Sequence, residues 1–389
     1  MLSAIGIRNY KSIHKLDLDL GRVNLFIGEN GCGKSNVLEA LCLASAAEAD
    51  KLDNNFLSSR GIRVTSAKLM RSNFDASNCE RPIEVSIRVS EYSDEQFTYV
   101  LKNDNEPYSK WTYDKSPYQT EMSPYQTEMI QKIFQEVGRE KIKEIGFESL
   151  LELITGRLSE QETRRPTLDW FSNFIIYSPE NSALRNFYEE GQLEPLGVNG
   201  AGLLKLLKVI NETDADALSD IKNALNLFGW YRNISIPNNL NKSNDKIEIT
   251  DRYISSIIDQ RSANEGFLFV LFYVALVVSK DTPKVFAIDN IDASLNPKLC
   301  TKIMRVLVEL SSKYNKQIFL TTHNPAILDG LDIKDSQQKL FVVSRSNKGY
   351  TLVKNVPDKK EFLTSDGENI KFSEAFLRGY LGGLPKGFN

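Results

Sequence analysis

Cysteine is scarce in this sequence and placed without pattern. The 389 residues hold four, Cys32, Cys42, Cys79 and Cys300. None has metal-ligand spacing, and Cys32 lies within a glycine-rich loop that a disulfide would obstruct, so the chain fits a reducing cytoplasm. An excess of one charge is lacking too: 48 Lys and Arg against 51 Asp and Glu leave a formal net charge of −3. That balance excludes a global basic field, so any DNA contact falls to a local patch or to a partner. Long apolar runs are missing as well. The opening M-L-S-A-I-G-I-R-N-Y-K-S has no signal-peptide core and reads as strand. Phe267 to Val278, the most apolar stretch, is shorter than the roughly 20 residues that cross a bilayer, so it is expected as a buried helix and no membrane contact follows. Heptads do not persist even for about three or four repeats, which excludes long coiled-coil arms.

What is present has the organisation of an α/β protein. Residues 2 to 9 and 13 to 20 alternate apolar and polar and predict paired strands around a Tyr-Lys-Ser turn; 83 to 89 and 97 to 101 predict a second, half-buried antiparallel pair. Val23 to Ile27 is a continuous apolar strand that runs into a glycine-rich loop, and Asn36 to Ala46 follows with helical periodicity. Residues 102 to 129 are polar and contain one exact duplication, S-P-Y-Q-T-E-M at 116 to 122 and again at 123 to 129, which reads as a tolerated loop insertion. Helix is predicted over 130 to 165, strand at 174 to 177, helices across 200 to 230, and strand near Ile247. Then come helix 267 to 279, strand 285 to 288, helix 297 to 312, strand 317 to 321, and strands at 339 to 343 and 350 to 353. Strands alternating with helices imply a mainly parallel sheet flanked by helices, with an antiparallel N-terminal β subdomain and a helical insertion. The expected division is an N-terminal lobe over 1–115, a helical and loop insertion over 116–260, a C-terminal lobe over 261–360, and a tail helix over 361–389.

The glycine-rich loop is Gly28-Glu29-Asn30-Gly31-Cys32-Gly33-Lys34-Ser35, followed by Asn36. Strand before and helix after are the context of a P-loop, in which backbone N–H groups curl around phosphates, Lys34 reaches the β and γ oxygens of ATP, and Ser35 ligates Mg²⁺. Such a site needs a second carboxylate at the end of a buried strand. Val285-Phe286-Ala287-Ile288-Asp289 supplies one.

With I-R-N-Y-K-S-I and N-L-F-I-G-E-N-G-C-G-K-S-N-V-L-E-A-L at the start, F-A-I-D-N-I-D-A-S-L-N-P at 286 to 297, and L-T-T-H-N-P-A-I-L-D at 320 to 329, the chain resembles ABC-type P-loop ATPase heads of the RecF/SMC/OLD kind. Among these are anti-phage ATPases such as OLD nucleases and Septu. The resemblance implies that Asp289 completes the Mg²⁺ shell, that His323 senses the γ-phosphate, and that Lys11 and Ser12 touch the nucleotide's edge. It also implies an ATP-sandwiched homodimer, in which a signature segment reaches the partner's γ-phosphate. The candidate segment is Arg261 to Gly266, with Asn264 in the place of the family's Ser and Gly266 in that of its Gly; Ser262 fits only with two extra residues, and Glu265 lies between. Alternatively, Ser262 or Asn264 simply caps the apolar helix.

One departure bears on chemistry. The family ordinarily carries Glu after the strand-end Asp, and here that residue is Asn290, which can orient water but cannot take its proton. Asp292 is the one nearby carboxylate able to substitute, although the pattern places it in the D-loop. The expectation is therefore a slowly hydrolysing ATPase that dimerises around ATP and gates a DNA-directed effector, such as a separate nuclease, in repair or phage defence. The alternatives are a structural ATP-binding scaffold, or a P-loop enzyme or transport cassette. A cassette would show Leu-Ser-Gly-Gly-Gln and a Q-loop, and the sequence has neither. The tail's apolar Phe376, Leu377, Tyr380 and Leu381 are expected on one helical face, docked onto the chain's own core or onto a partner.

Overall fold

The computed structural model describes residues 1–92, 95–117, 168–186, 194–237, 246–357 and 370–382. The helix expected over 130–165 and nearly all of the duplicated 116–129 segment lie outside these residues. In chain order the strands are β1 (Leu2–Tyr10), β2 (Ile13–Asp19), β3 (Val23–Gly28), β4 (Ile83–Val89), β5 (Gln96–Lys102), β6 (Thr112–Pro117), β7 (Ile176–Tyr177), β8 (Tyr231–Ser235), β9 (Glu248–Asp251), β10 (Ile258–Asp259), β11 (Val285–Ile288), β12 (Gln317–Thr322), β13 (Gln338–Arg345) and β14 (Thr351–Asn355). The helices that matter below are α1 (Lys34–Glu48), α2 (Leu203–Thr213), α3 (Ala215–Leu225), α4 (Glu265–Val278), α5 (Pro297–Lys313) and α6 (Phe372–Leu377).

An antiparallel sheet, ordered β2-β1-β4-β5-β6, covers one side of a six-stranded sheet ordered β14-β13-β3-β12-β11-β7. Period-two patterning explains the first: Leu16 and Leu18 of β2 are buried beside exposed Lys15 and Asp17. The inner strands β3, β11 and β12 are buried along their whole length, as parallel strands covered on both faces must be. Leu25, Ile27, Phe286, Ile288 and Leu320 point to the core that holds α2 to α5, whereas Phe26, Ala287, Phe319 and Phe341 point to the core that holds α1.

Two helices are buried nearly all round, for different reasons. In α1 the small side chains Ala40, Ala44, Ala46 and Ala47 let the helix lie between the two sheets. In α4 every residue from Gly266 to Val278 is buried, in agreement with the core helix expected from the apolar run. Helix α5 starts with the N-cap Asn296, whose side chain accepts from the Leu299 N–H at 2.9 Å, and with Pro297 in the first turn, where its missing N–H is no loss.

The structure departs from the sequence pattern at β6, a strand paired with β5 within the stretch 102–129 read as a polar loop, and in two further places. A three-stranded sheet, β10-β9-β8, leads into α4, where the pattern predicts only the strand near Ile247. The tail stripe splits: Phe376 and Leu381 are buried, while Leu377 and Tyr380 are 63% and 50% exposed. Helix α6 stops at Leu377, and Gly379 at φ +77° takes the chain out of helical register before residues 380 and 381.

Candidate nucleotide site

Strands β3, β11 and β12 end level with one another, with Ile288 paired to Leu320 and Thr322 to Ile27. The loops that follow them therefore converge outside the carboxyl edge of the sheet, the usual ligand crevice of an open α/β sheet. The glycine-rich loop leaves no room for a side chain at Gly28 or Gly33: a Cβ on Gly28 would sit 2.1 Å from the carbonyl oxygen of Val343, and one on Gly33 2.1 Å from Oγ1 of Thr351. Gly33 also has φ +106°, which places its neighbours' N–H groups around the start of α1.

Lys34 lies almost wholly beneath this loop, 5% exposed. Its ammonium donates to the carbonyl oxygens of Gly28 at 2.9 Å and Glu29 at 3.0 Å, and stands 3.2 Å from Nδ1 of His323. An ammonium only donates, so Nδ1 accepts in this pair. Burial, and then the neighbouring Lys34 charge, hold the His323 pKa below its ordinary value, so the imidazole is neutral at physiological pH. Burial likewise holds the Cys32 thiol protonated.

Ser35 Oγ donates to both carboxylate oxygens of Asp289, at 3.1 and 2.9 Å, and Thr321 Oγ1 donates to the same carboxylate. A hydroxyl beside a carboxylate is a hard-oxygen donor set that suits Mg²⁺ arriving on a triphosphate. No group of three or more His, Cys, Asp or Glu is placed to hold a metal among the described residues, so a cation here would take its remaining ligands from phosphate and water.

The two candidate bases occupy different environments. Asn290 is exposed at φ +56°, a left-handed conformation that Asn tolerates well, and its N–H donates to Thr321 Oγ1 at 2.9 Å. Asp292 accepts from Thr322 Oγ1 at 2.7 Å and from the His323 N–H at 3.3 Å, which ties it to the loop that carries His323. Around the rim, Ser12 Oγ lies 2.6 Å from Asn36 Nδ2 and 2.6 Å from Thr351 Oγ1, which donates to the Cys32 carbonyl at 2.8 Å. Lys11 pairs with Glu39.

The segment from 261 to 266 sits apart from this cluster. Asn264 caps α4, its Oδ1 accepting from the Phe267 N–H at 3.3 Å. Glu265 accepts from Ser294 Oγ, and a Cβ on Gly266 would lie 2.9 Å from the Ser294 carbonyl oxygen, so these residues meet the D-loop. Ser262 is exposed in the turn before the helix. No hydrogen bond among the described residues joins 262–266 to 28–36.

Several residues of the site carry no mark in the sequence pattern. Glu39 and Arg63 form an ion pair at 2.6 Å, Arg345 Nε donates to the Gly31 carbonyl at 2.8 Å, and Arg185 donates to the carbonyls of Gln260, Arg261 and Ala263. Only the doubled threonine of T-T-H offers a local signal, for Thr321. The others are brought in by contacts across long sequence separations.

The fold is that of SMC head domains, with the glycine-rich loop, Asp289 and His323 gathered at the edge of its parallel sheet. The chain belongs to the AAA family described as "AAA domain, putative AbiEii toxin, Type IV TA system", whose pattern it matches over residues 23–329. In fold it is similar to an Smc head bound to the C-terminal winged-helix domain of ScpA, with 13% identity, TM-score 0.56, and coverage of 92% of this chain and 98% of that one. It is also similar to the Smc head domain with an extended coiled coil bound to the C-terminal domain of ScpA from Pyrococcus furiosus, with 14% identity, TM-score 0.52, and coverage of 92% and 96%. Among curated proteins none matches. No helix among the described residues is long and apolar enough to cross a membrane.

Proposed function

We propose that the chain binds Mg·ATP at Lys34, Ser35 and Asp289, hydrolyses it slowly, and dimerises around two nucleotides so as to gate a separate DNA-directed effector in repair or phage defence. The observation that carries this reading is the convergence of three strand ends: Lys34 beside His323, and Ser35 on Asp289. In the proposed roles Lys34 neutralises the β and γ oxygens, Ser35 and Asp289 hold Mg²⁺, and His323 senses the γ-phosphate. Mg²⁺, once bound, screens the charge that builds on the leaving phosphates. Slow turnover follows from the two candidate bases: Asn290 has no basic oxygen to offer water, and Asp292 already holds the His323 loop. The helix start at Asn264 to Gly266 is the surface proposed to complete a partner's site, since a capped N-terminus is also an anion site. The family's description names a toxin–antitoxin system, a two-component arrangement that agrees with a paired effector. Lys34→Ala is expected to weaken Mg·ATP binding about 10²-fold by calorimetry in a protein that stays folded. Unchanged affinity in a folded variant would remove Lys34 from the site.

A further inference from the structure

Helix α1 buries one acidic side chain, Glu39, besides Lys34, and nothing in the proposed chemistry uses it. Glu39 is 1% exposed, yet its carboxylate is fully engaged. Oε1 accepts from Arg63 Nε at 2.6 Å and from the Arg63 N–H at 3.4 Å; Oε2 accepts from Tyr10 OH at 3.1 Å and from the Lys11 ammonium. Two cations thus share one carboxylate, which leaves the triad itself with one positive charge in excess, with the Asp289 carboxylate within electrostatic reach of Arg63. The cations come from separate parts of the chain, Lys11 from the turn after β1 and Arg63 from the segment after α1, and Lys11 Nζ also donates to the Arg63 carbonyl at 2.9 Å.

The placement of that surplus charge is informative. Arg63 Nη2 donates to Asn36 Oδ1 at 3.3 Å, next to the Mg²⁺ candidate Ser35, and Asn36 in turn donates to Ser12. The Arg63 side chain is 65% exposed, whereas Lys11 is 13% exposed. The guanidinium therefore has its inner edge fixed by Glu39 and its outer edge open at the mouth of the glycine-rich loop. The triad carries one positive charge in excess, and its exposed member, Arg63, reaches Asn36 beside Ser35.

We propose that Glu39 is a positioning residue of the nucleotide site, a buried anchor that fixes Lys11 and Arg63 side by side so that their surplus charge receives the phosphates of a nucleoside triphosphate. The inference rests on the nucleotide-binding reading above. Replacing Glu39 by Gln makes the local field more positive while releasing both cations, so field and geometry push affinity in opposite directions. If anchoring dominates, binding weakens although charge complementarity has improved.

The test is a mutant cycle read by calorimetric titration with Mg²⁺ and a non-hydrolysable ATP analogue at two salt concentrations. Glu39→Gln is expected to weaken binding about tenfold, and to cause no further loss when added to Lys11→Met/Arg63→Gln. Glu39→Asp keeps the charge but is one methylene shorter; it is expected to fall between wild type and Glu39→Gln, and carries the test if Glu39→Gln does not fold. Tighter binding by Glu39→Gln would show that the carboxylate only attenuates the field, and overturns the proposal. So does an equal loss in the background that lacks both cations. A wild type that fails to bind the analogue would overturn the nucleotide reading itself, whereas a binding wild type with an indifferent Glu39→Gln overturns only the role of Glu39.

Discussion

On one face of the central sheet, α4 buries thirteen consecutive residues from Gly266 to Val278 without a charged side chain among them. On the other, α1 buries Lys34 and Glu39 among its alanines and leucines, and the same core lies beside Arg60 and Arg71, which are 8% and 1% exposed. Burying an ion costs several kcal/mol unless it is paired and hydrogen-bonded. Three of these ions are accommodated by partners: Lys34 by loop carbonyls, Glu39 by two cations, and Arg71 by the carbonyls of Arg81 and Asn103 and by Asn105. Among the described residues Arg60 donates only to the Phe174 carbonyl, at 3.4 Å, and leaves its Nε without a partner. Helix α4 itself buries no ion and is held by apolar burial and aromatic contacts such as Tyr177 with Phe272 and Phe228 with Phe267. On the same face, however, α2 buries Lys208, and the hydroxyls of Tyr177, Tyr231 and Tyr273 are buried without a partner among the described residues. The drier face is held mainly by apolar packing, and the charged face carries the penalty of burying Lys34, Glu39, Arg60 and Arg71.

The contrast can be broken most strongly on the dry side. Phe272→Ala is expected to lower unfolding stability by about 3–5 kcal/mol in chemical denaturation, because the cavity cannot be filled by a packed helix, while nucleotide affinity of the folded fraction stays near wild type. A large affinity loss with little loss of stability would show that the two faces are not separate in this way.

Between the faces lie the loops after β11 and β12, and here the effect is on rate. Asn290→Glu places a carboxylate where the family ordinarily has one, and turnover is expected to rise about 10²-fold. The residue's left-handed backbone opposes this with strain of about 1–2 kcal/mol. Asp292→Asn is expected to loosen the His323 loop without abolishing turnover. Brisk hydrolysis by the wild type, indifference to Asn290→Glu and inactivation by Asp292→Asn would instead make Asp292 the base.

The smallest effect sharpens the boundary at the start of α4. Asn264→Ala removes the N-cap and should cost about 1 kcal/mol, and it should also abolish ATP-dependent mass increase in light scattering. Asn264→Ser restores both a capping oxygen and the residue that the resemblance places in the signature. A dimer that forms equally well with Ala would leave Asn264 as a cap alone.

Much of the fold and of the site is legible in the amino-acid sequence. The glycine-rich loop, the apolar strand ending at Asp289 and the T-T-H-N-P run are each contiguous and so marked by local spacing, and the alternation of β2 and β4 follows from period-two burial, whereas β1, paired on both edges, is buried almost throughout. The sheet at 231–259 leaves little trace in the pattern because β8 is five residues long, β9 four and β10 two, too short for periodicity to register. The split of the tail stripe is hidden because the helical spacing of its apolar residues continues across Gly379, where the helix itself does not.

Neighbouring residues and the length and pattern of apolar runs suffice for the glycine-rich loop between strand and helix, the mainly parallel α/β architecture and the Asn at position 290. Tertiary structure alone decides that Glu39 and not Asp289 anchors Lys11, that Asp292 is committed to the His323 loop, and that Thr351 from a distant strand closes on the Cys32 carbonyl. Those contacts span 28 to 319 positions of chain. They arise because strands far apart in sequence end at one edge of a sheet, and strand order in a sheet is not a local property of any segment.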